Sequence, residues 1–172
     1  KDKNGMPFIP GKTIKGLVRE AIEELIPTEE FENKSKAFWQ SFGNSEDRNA
    51  KKETEYKEKY ELMEKGSMFF TNAELGKEEY KAITSNDAAR FMYRDIASTA
   101  IDKDGIAKEH SLRKMEVVVP CTLHGEILDV PDVLANEIIE SLKFIKRMGQ
   151  NRNRGLGRCT ITGRKENDNE NA

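Results

Sequence analysis

Three arginines and three glycines share ten residues of this 172-residue chain: Gly149-Gln150-Asn151-Arg152-Asn153-Arg154-Gly155-Leu156-Gly157-Arg158. Glycines let a backbone come close to a ligand, and arginine guanidiniums fork onto phosphates or stack on bases. The plain alternative is a tight turn from helix to strand with incidental surface arginines. Turn geometry alone does not account for three arginines within seven residues and no acid among them. The chemistry is that of a polyanion site, with Arg152, Arg154, Gly155, Gly157 and Arg158 as its candidates. A second group sits at Gly11-Lys12-Thr13. The phosphate-loop pattern G-x-x-x-x-G-K-[ST] ends this way, but its first glycine would stand at Met6, and Gly5 is one residue out of register. A nucleoside-triphosphate site is therefore not expected. Amide groups at a helix start, a glycine and nearby lysines still suit a phosphate of any kind.

Other chemistries find little footing. His110 and His124 are the only histidines and lie in different segments, so a zinc site would have to recruit scattered carboxylates; no metal site is expected. His110 has the side chain of a general base for RNA cleavage through the 2′-hydroxyl, although a single histidine in a polar loop is ordinarily just exposed. Asp2, Asp102 and Asp104 qualify as nuclease carboxylates only by residue type. Cys121 and Cys159 form no CxxC and no disulfide framework, and read as buried thiols of a reducing cytoplasm.

The net charge of -2 conceals a strong segregation. From Lys1 to Arg19 five bases face one acid; from Glu20 to Glu32 come six glutamates and no base; from Lys143 to Arg158 come six bases and no acid. Two positive patches are set in an acidic body. Charged residues make up 35% and hydrophobic ones 36%, below the ~45–50% usual for globular domains, so loops or an insertion are expected. The longest apolar runs, such as Val117-Val118-Val119, are too short to span a membrane, and nothing resembles a secretory leader. The first residue is Lys1 rather than Met, and an upstream segment is expected.

These residues need elements to hold them. Ile14, Leu17, Val18, Ala21 and Leu25 recur at helical spacing, which predicts a helix over 12–26 ending before Pro27. On its wheel Lys12, Lys15 and Arg19 fall within about 60° of one another, opposite the apolar stripe, as one exposed basic edge. Cations in a first turn oppose the helix dipole, and an anion there would compensate; an ordinary solvated lysine face is the alternative. Residues 46–65 mix seven acids with six bases and read as an exposed, partly helical insertion, placed at about 44–66. Residues 67–75 read as a buried strand. Residues 90–114 read as a protruding hairpin, turning near Asp102-Lys103-Asp104-Gly105. Met115 to Val130 reads as a long strand bent at Pro120. Pro131 and Asp132 open a second helix whose last turn carries Lys143, Lys146 and Arg147, in agreement with the dipole. Residues 158–162 read as a final strand, and 166–172 as a polar tail.

Helix, strand, strand, helix, strand is an α+β order that matches a ferredoxin-like (RRM-like) βαββαβ unit lacking its first strand, which an upstream segment would supply. A single domain over 1–165 is expected. In that topology Cys121 and Cys159 stand two strand spacings apart, about 9.5 Å, beyond disulfide reach.

Four segments resemble one family. Asp2-Lys-Asn-Gly-Met-Pro-Phe-Ile-Pro-Gly-Lys-Thr-Ile-Lys-Gly-Leu-Val-Arg19 is similar to the segment D-x-x-G-x-P-[YF]-I-P-G-[ST]-[ST]-[LI]-K-G-x-[LI]-R of the RAMP superfamily of CRISPR-associated proteins, departing from it at Lys12. Phe42-Gly43 and then Ser67-Met-Phe-Phe-Thr-Asn-Ala-Glu-Leu75 resemble the family's FG and strand-plus-D-A pattern, with Asn72 at the Asp. Thr99 to Leu112, with Glu116 beyond, resembles its I-A-I-D…G-x-L…E segment, with His110 where the family has glycine. Asn153-Arg-Gly-Leu-Gly-Arg158 resembles its terminal glycine-rich loop. The third segment is closest to backbone subunits of type III effector complexes.

The resemblance implies a guide (CRISPR) RNA-binding structural subunit of a type III antiviral ribonucleoprotein. Gly11, Lys12, Thr13, Lys15 and Arg19, with Arg152, Arg154, Gly155, Gly157 and Arg158, would hold guide phosphates, and residues about 92–114 would form a hairpin thumb. Its partners would be guide RNA, single-stranded target RNA, and other effector subunits or copies of itself, in the cytoplasm. Some such subunits cut target RNA with an aspartate upstream of the I-P-G motif, before Lys1; Asp2 corresponds to a different position, so no catalytic residue is assigned. No cofactor is expected, and Mg²⁺ would matter only to a nuclease. The rivals are an endoribonuclease of the same superfamily, with metal-dependent target cleavage or metal-free guide processing, and an RRM-like protein-interaction module. Ordinary RRM base stacking is not expected, because aromatics are 8% and the final strand has none.

Overall fold

The computed structural model describes residues 1–26, 28–43 and 65–166. Its elements run β1 (Phe8–Ile9), α1 (Gly11–Leu25), α2 (Thr28–Phe42), β2 (Phe69–Phe70), β3 (Ala73–Glu74), α3 (Lys77–Ser85), β4 (Tyr93–Ser98), β5 (Arg113–Val118), β6 (Ile127–Leu128) and α4 (Asp132–Phe144). Short 3₁₀ turns occupy Ala89–Met92 and Arg152–Arg154. The class is α+β, as expected, and the strands pair antiparallel two by two: β1 with β3, β2 with β6, β4 with β5. The expected insertion at 44–66 lies outside the described residues except for Lys65 and Gly66. The chain divides into two units, one of residues 1–9 and 72–125, the other of 10–71 and 126 onward.

The second unit holds the main core. Val18, Ala21 and Ile22 of α1, Phe38, Trp39 and Phe42 of α2, Met68 and Phe70 around β2, and Leu134, Ile138 and Leu142 of α4 form one buried cluster. Each large apolar side chain among them contributes about 1.5–3 kcal/mol when fully buried. Ile26 is extended (φ -83, ψ 124), the conformation favoured before a proline, and ends α1. Helix α2, absent from the sequence reading, brings its aromatic face inward: Phe38 meets Trp39 edge-on at 5.4 Å and Phe42 at 4.8 Å between ring centroids.

The first unit starts with a turn built on Asp2. Its Oδ1 accepts the Asn4 and Met6 N–H groups at 2.9 and 2.7 Å, and its Oδ2 accepts the Tyr80 hydroxyl at 2.8 Å. These bonds fold the Asp-x-x-Gly segment, with Gly5 at φ +79, into the strand Phe8–Ile9. Asp2 is thus a turn-forming residue, and α3, also missed in the sequence reading, supplies its Tyr80 partner. The hairpin of β4 and β5 pairs Tyr93 with Val118 through to Ser98 with Arg113. Beyond it Asp102 Oδ1 accepts the Asp104 and Ile106 N–H groups at 2.9 and 3.0 Å, making the turn expected there. His110, where the resembled segment has glycine, has φ +56, in the left-handed region that favours glycine.

Four expectations need correction. The run 115–130 is not one strand: β5 ends at Val118, Pro120 has no N–H for a ladder, and only a single bridge, Glu74 with His124, precedes β6. The strand expected at 158–162 reduces to one bridge between Arg147 and Arg158. Helix α4 stops at Phe144, so Lys146 and Arg147 lie past its end. Cys121 is exposed and Cys159 half-buried, both unbridged, in place of the two buried thiols that the sequence suggests; the segment carrying Cys121 follows Pro120 outside any strand.

Candidate nucleic-acid interface

All ten candidate residues fall in the second unit, in two groups. The first is the start of α1, where the N-cap is Pro10, no side chain caps the helix, and the first turn carries no acid. Lys12 and Thr13 are exposed there. Gly11 is buried, and a Cβ on it would stand 2.0 Å from Phe70 O and 2.7 Å from Thr71 O. The glycine is therefore required by the packing of the helix start onto the backbone at the end of β2.

Lys15 and Arg19 do not form the exposed edge that the helical wheel predicts. Lys15 is half-buried; its Nζ donates to Met68 O at 2.9 Å and lies 5.9 Å from the Phe70 ring centroid. Burial, and then the charge of Arg19, hold its ammonium below the usual value. Arg19 is only 8% exposed. Its Nη1 donates to Gly43 O at 3.2 Å, its Nε to Glu23 Oε1 at 3.1 Å, and the guanidinium lies 4.8 Å from the Trp39 ring centroid. Helix α2 covers the side of α1 that the wheel leaves to solvent, so Arg19 braces the fold.

The second group is the glycine-rich loop. Asn151, Gly155 and Gly157 are left-handed at φ +55, +90 and +66, and Arg152–Arg154 make one 3₁₀ turn between them. The Arg154 and Leu156 N–H groups both donate to Asn151 O, at 2.8 and 3.4 Å. This closes the turn that carries Arg152 and Arg154, and both are exposed, as is Arg158 just beyond it. Gly155 has no neighbour within 4 Å of a Cβ position, whereas a Cβ on Gly157 would lie 1.8 Å from Met148 O. The two glycines thus differ: one serves backbone conformation alone, the other also admits the neighbouring backbone.

Sequence reading counts two more bases in the positive patch but leaves them on the helix, outside the site. Lys146 and Arg147 are exposed beside the loop, and Arg147 Nη1 donates to Arg152 O at 3.1 Å. Their signal is the run of six bases from Lys143 to Arg158, which the helical pattern masks by extending through Arg147. Arginine forks on a short, shaped loop suit phosphate oxygens or base faces. Among the described residues no group of three or more His, Cys, Asp or Glu is placed to hold a metal ion, and no helix is long and apolar enough to cross a membrane. A family model described as the RAMP superfamily matches residues 1–160. No curated protein matches the chain.

Proposed function

This chain belongs to the RAMP superfamily, with the CRISPR-related role in RNA binding or processing which that carries, and from that premise we propose that it is a structural, guide-RNA-binding subunit of a type III CRISPR ribonucleoprotein. It grips RNA phosphates with Arg152, Arg154 and Arg158 on the loop and with Lys12 and Thr13 at the start of α1. Gly11, Gly157, Lys15 and Arg19 serve that surface by shaping it. Its partners are guide RNA, single-stranded target RNA and neighbouring effector subunits or further copies of the chain, and the hairpin of β4 and β5 is its thumb.

The observation that carries the reading is the exposed three-arginine loop, closed by its own hydrogen bonds, in a chain with this family match. Affinity built on phosphates depends on salt, because each neutralised phosphate releases counterions. Titration of a labelled single-stranded RNA with the protein in EDTA, at several salt concentrations, tests it. About four to six phosphate contacts predict that log K falls against log salt with a slope of about -3 to -4. A flat response contradicts the reading, and RNA cleavage that appears on adding Mg²⁺ moves it to a nuclease.

A further inference from the structure

Arg147 stands beside the loop, paired with one of its members. Met148 N–H donates to Gly157 O and Cys159 N–H to Lys146 O, both at 2.9 Å, which leaves Arg147 directly opposite Arg158 on antiparallel chains. This is the non-hydrogen-bonded kind of pair, in which Cα atoms stand about 4.5 Å apart and side chains come closest. Met148 and Cys159 pack against the core, while both arginines are exposed. Two like charges therefore share one solvent face, an arrangement that is destabilising across strands. No acid occurs between Lys143 and Arg158 to offset them. The bond from Arg147 Nη1 to Arg152 O uses one donor of a guanidinium that carries several.

We propose that Arg147 and Arg158 form a paired seat for one phosphodiester group of a bound strand, and that the repulsion between the two arginines lowers the stability of the protein on its own. This rests on the reading of the adjoining loop as an RNA site. The bound anion supplies the charge that the pair lacks, so removing one arginine acts in opposite directions on stability and on binding. A mere strut would lose stability when cut, and an incidental surface arginine would change neither.

The test compares the full chain with Arg147→Gln and Arg158→Glu for melting temperature at low salt and for binding of a labelled oligouridine in EDTA. Glutamine keeps a donor for Arg152 O, and the carboxylate introduced by Arg158→Glu keeps Arg147 in place as an ion-pair partner. The proposal expects both variants to melt higher, by up to about 2–4 °C. It also expects weaker binding, with the salt slope of Arg147→Gln smaller by about 0.7, one phosphate contact. Wild-type protein that binds RNA while Arg147→Gln keeps the same affinity and slope overturns the seat alone. Failure of the wild type to bind overturns the loop reading and the seat with it. A fall in melting temperature in both variants makes the pair a strut and overturns its cost to stability. Displacement of the RNA by poly-glutamate at equal charge concentration assigns the pair to an acidic protein surface and overturns the proposal.

Discussion

The Arg19 guanidinium reaches across from α1 to donate to the Gly43 carbonyl at 3.2 Å, fastening the end of α2 to the helix that opens the candidate interface. Gly43 in turn bridges Lys65, and a Cβ on Gly66 would lie 2.3 Å from Ser41 O, so Arg19 sits behind the point where the chain closes on itself on either side of residues 44–64.

Arg19→Ala is therefore expected to lower stability by about 2–5 kcal/mol, from a lost charged hydrogen bond of about 1.5–3 and a lost cation–π contact of about 0.5–2. The Glu23 pairing adds little, because that carboxylate is well exposed. Arg19→Lys is expected to rescue only part, since an ammonium lacks the planar fork that serves Gly43 and Trp39 together. Urea denaturation of both variants measures this; loss of RNA binding in an Arg19→Lys protein of wild-type stability would restore Arg19 to the binding surface.

Gly157→Ala is expected to be far more damaging than Gly155→Ala. Both alanines bear a left-handed backbone, at about 1–2 kcal/mol, but only the Gly157 Cβ would meet a carbonyl oxygen at 1.8 Å. Thermal melts separate the two, with Gly155→Ala within a few degrees of wild type. Equal losses would mean that Met148 is not held against the loop.

Acid stability carries the mark of Asp2. Burial pushes its carboxyl up, but the Met6, Tyr80 and Asn4 hydrogen bonds together hold it below the usual carboxylate range. A depressed carboxylate stabilises the fold above its unfolded pKa, and that contribution disappears as pH falls through the folded one. Asp2→Asn is expected to be less stable than wild type at neutral pH and to match it in acid below the folded value. Urea midpoints measured from neutral pH down into strong acid check this; a gap that persists unchanged into acid would show that the charge of Asp2 contributes nothing.

How far the sequence is legible depends on what each pattern contains. The stripe Ile14, Leu17, Val18, Ala21 and Leu25 reports its own helix, and α1 stands where the stripe puts it. The same wheel carries no information about what covers the other side, so Arg19 reads as exposed although Trp39 lies over it. The missing signal is in α2, where Ser35, Phe38, Trp39 and Phe42 recur at helical spacing just after the glutamate-rich stretch that ends at Glu32. The loop arginines are legible as an exposed surface group, because glycines and arginines so dense have few structural uses. Arg147 is not, because Ile145 continues the spacing of Ile138 and Leu142 and carries a sequence reading of the helix past its end. In the structure Ile145 is instead extended (φ -75, ψ 94), and its N–H bonds to Leu142 O at 3.3 Å. The turn at His110 shows the converse: a histidine occupies a glycine conformation, visible only in the backbone.

The central claim is that exposed loop arginines hold RNA through its phosphates. Its most direct test is the affinity of a labelled single-stranded RNA, in EDTA, for the wild type and for an Arg154→Glu, Arg158→Glu double variant whose fold is checked by circular dichroism and melting. The expected result is a folded variant whose binding falls by at least about 100-fold, in keeping with reversal of two charged phosphate contacts, and whose salt slope is smaller by about 1.4. A folded variant that binds with wild-type affinity and slope would contradict it.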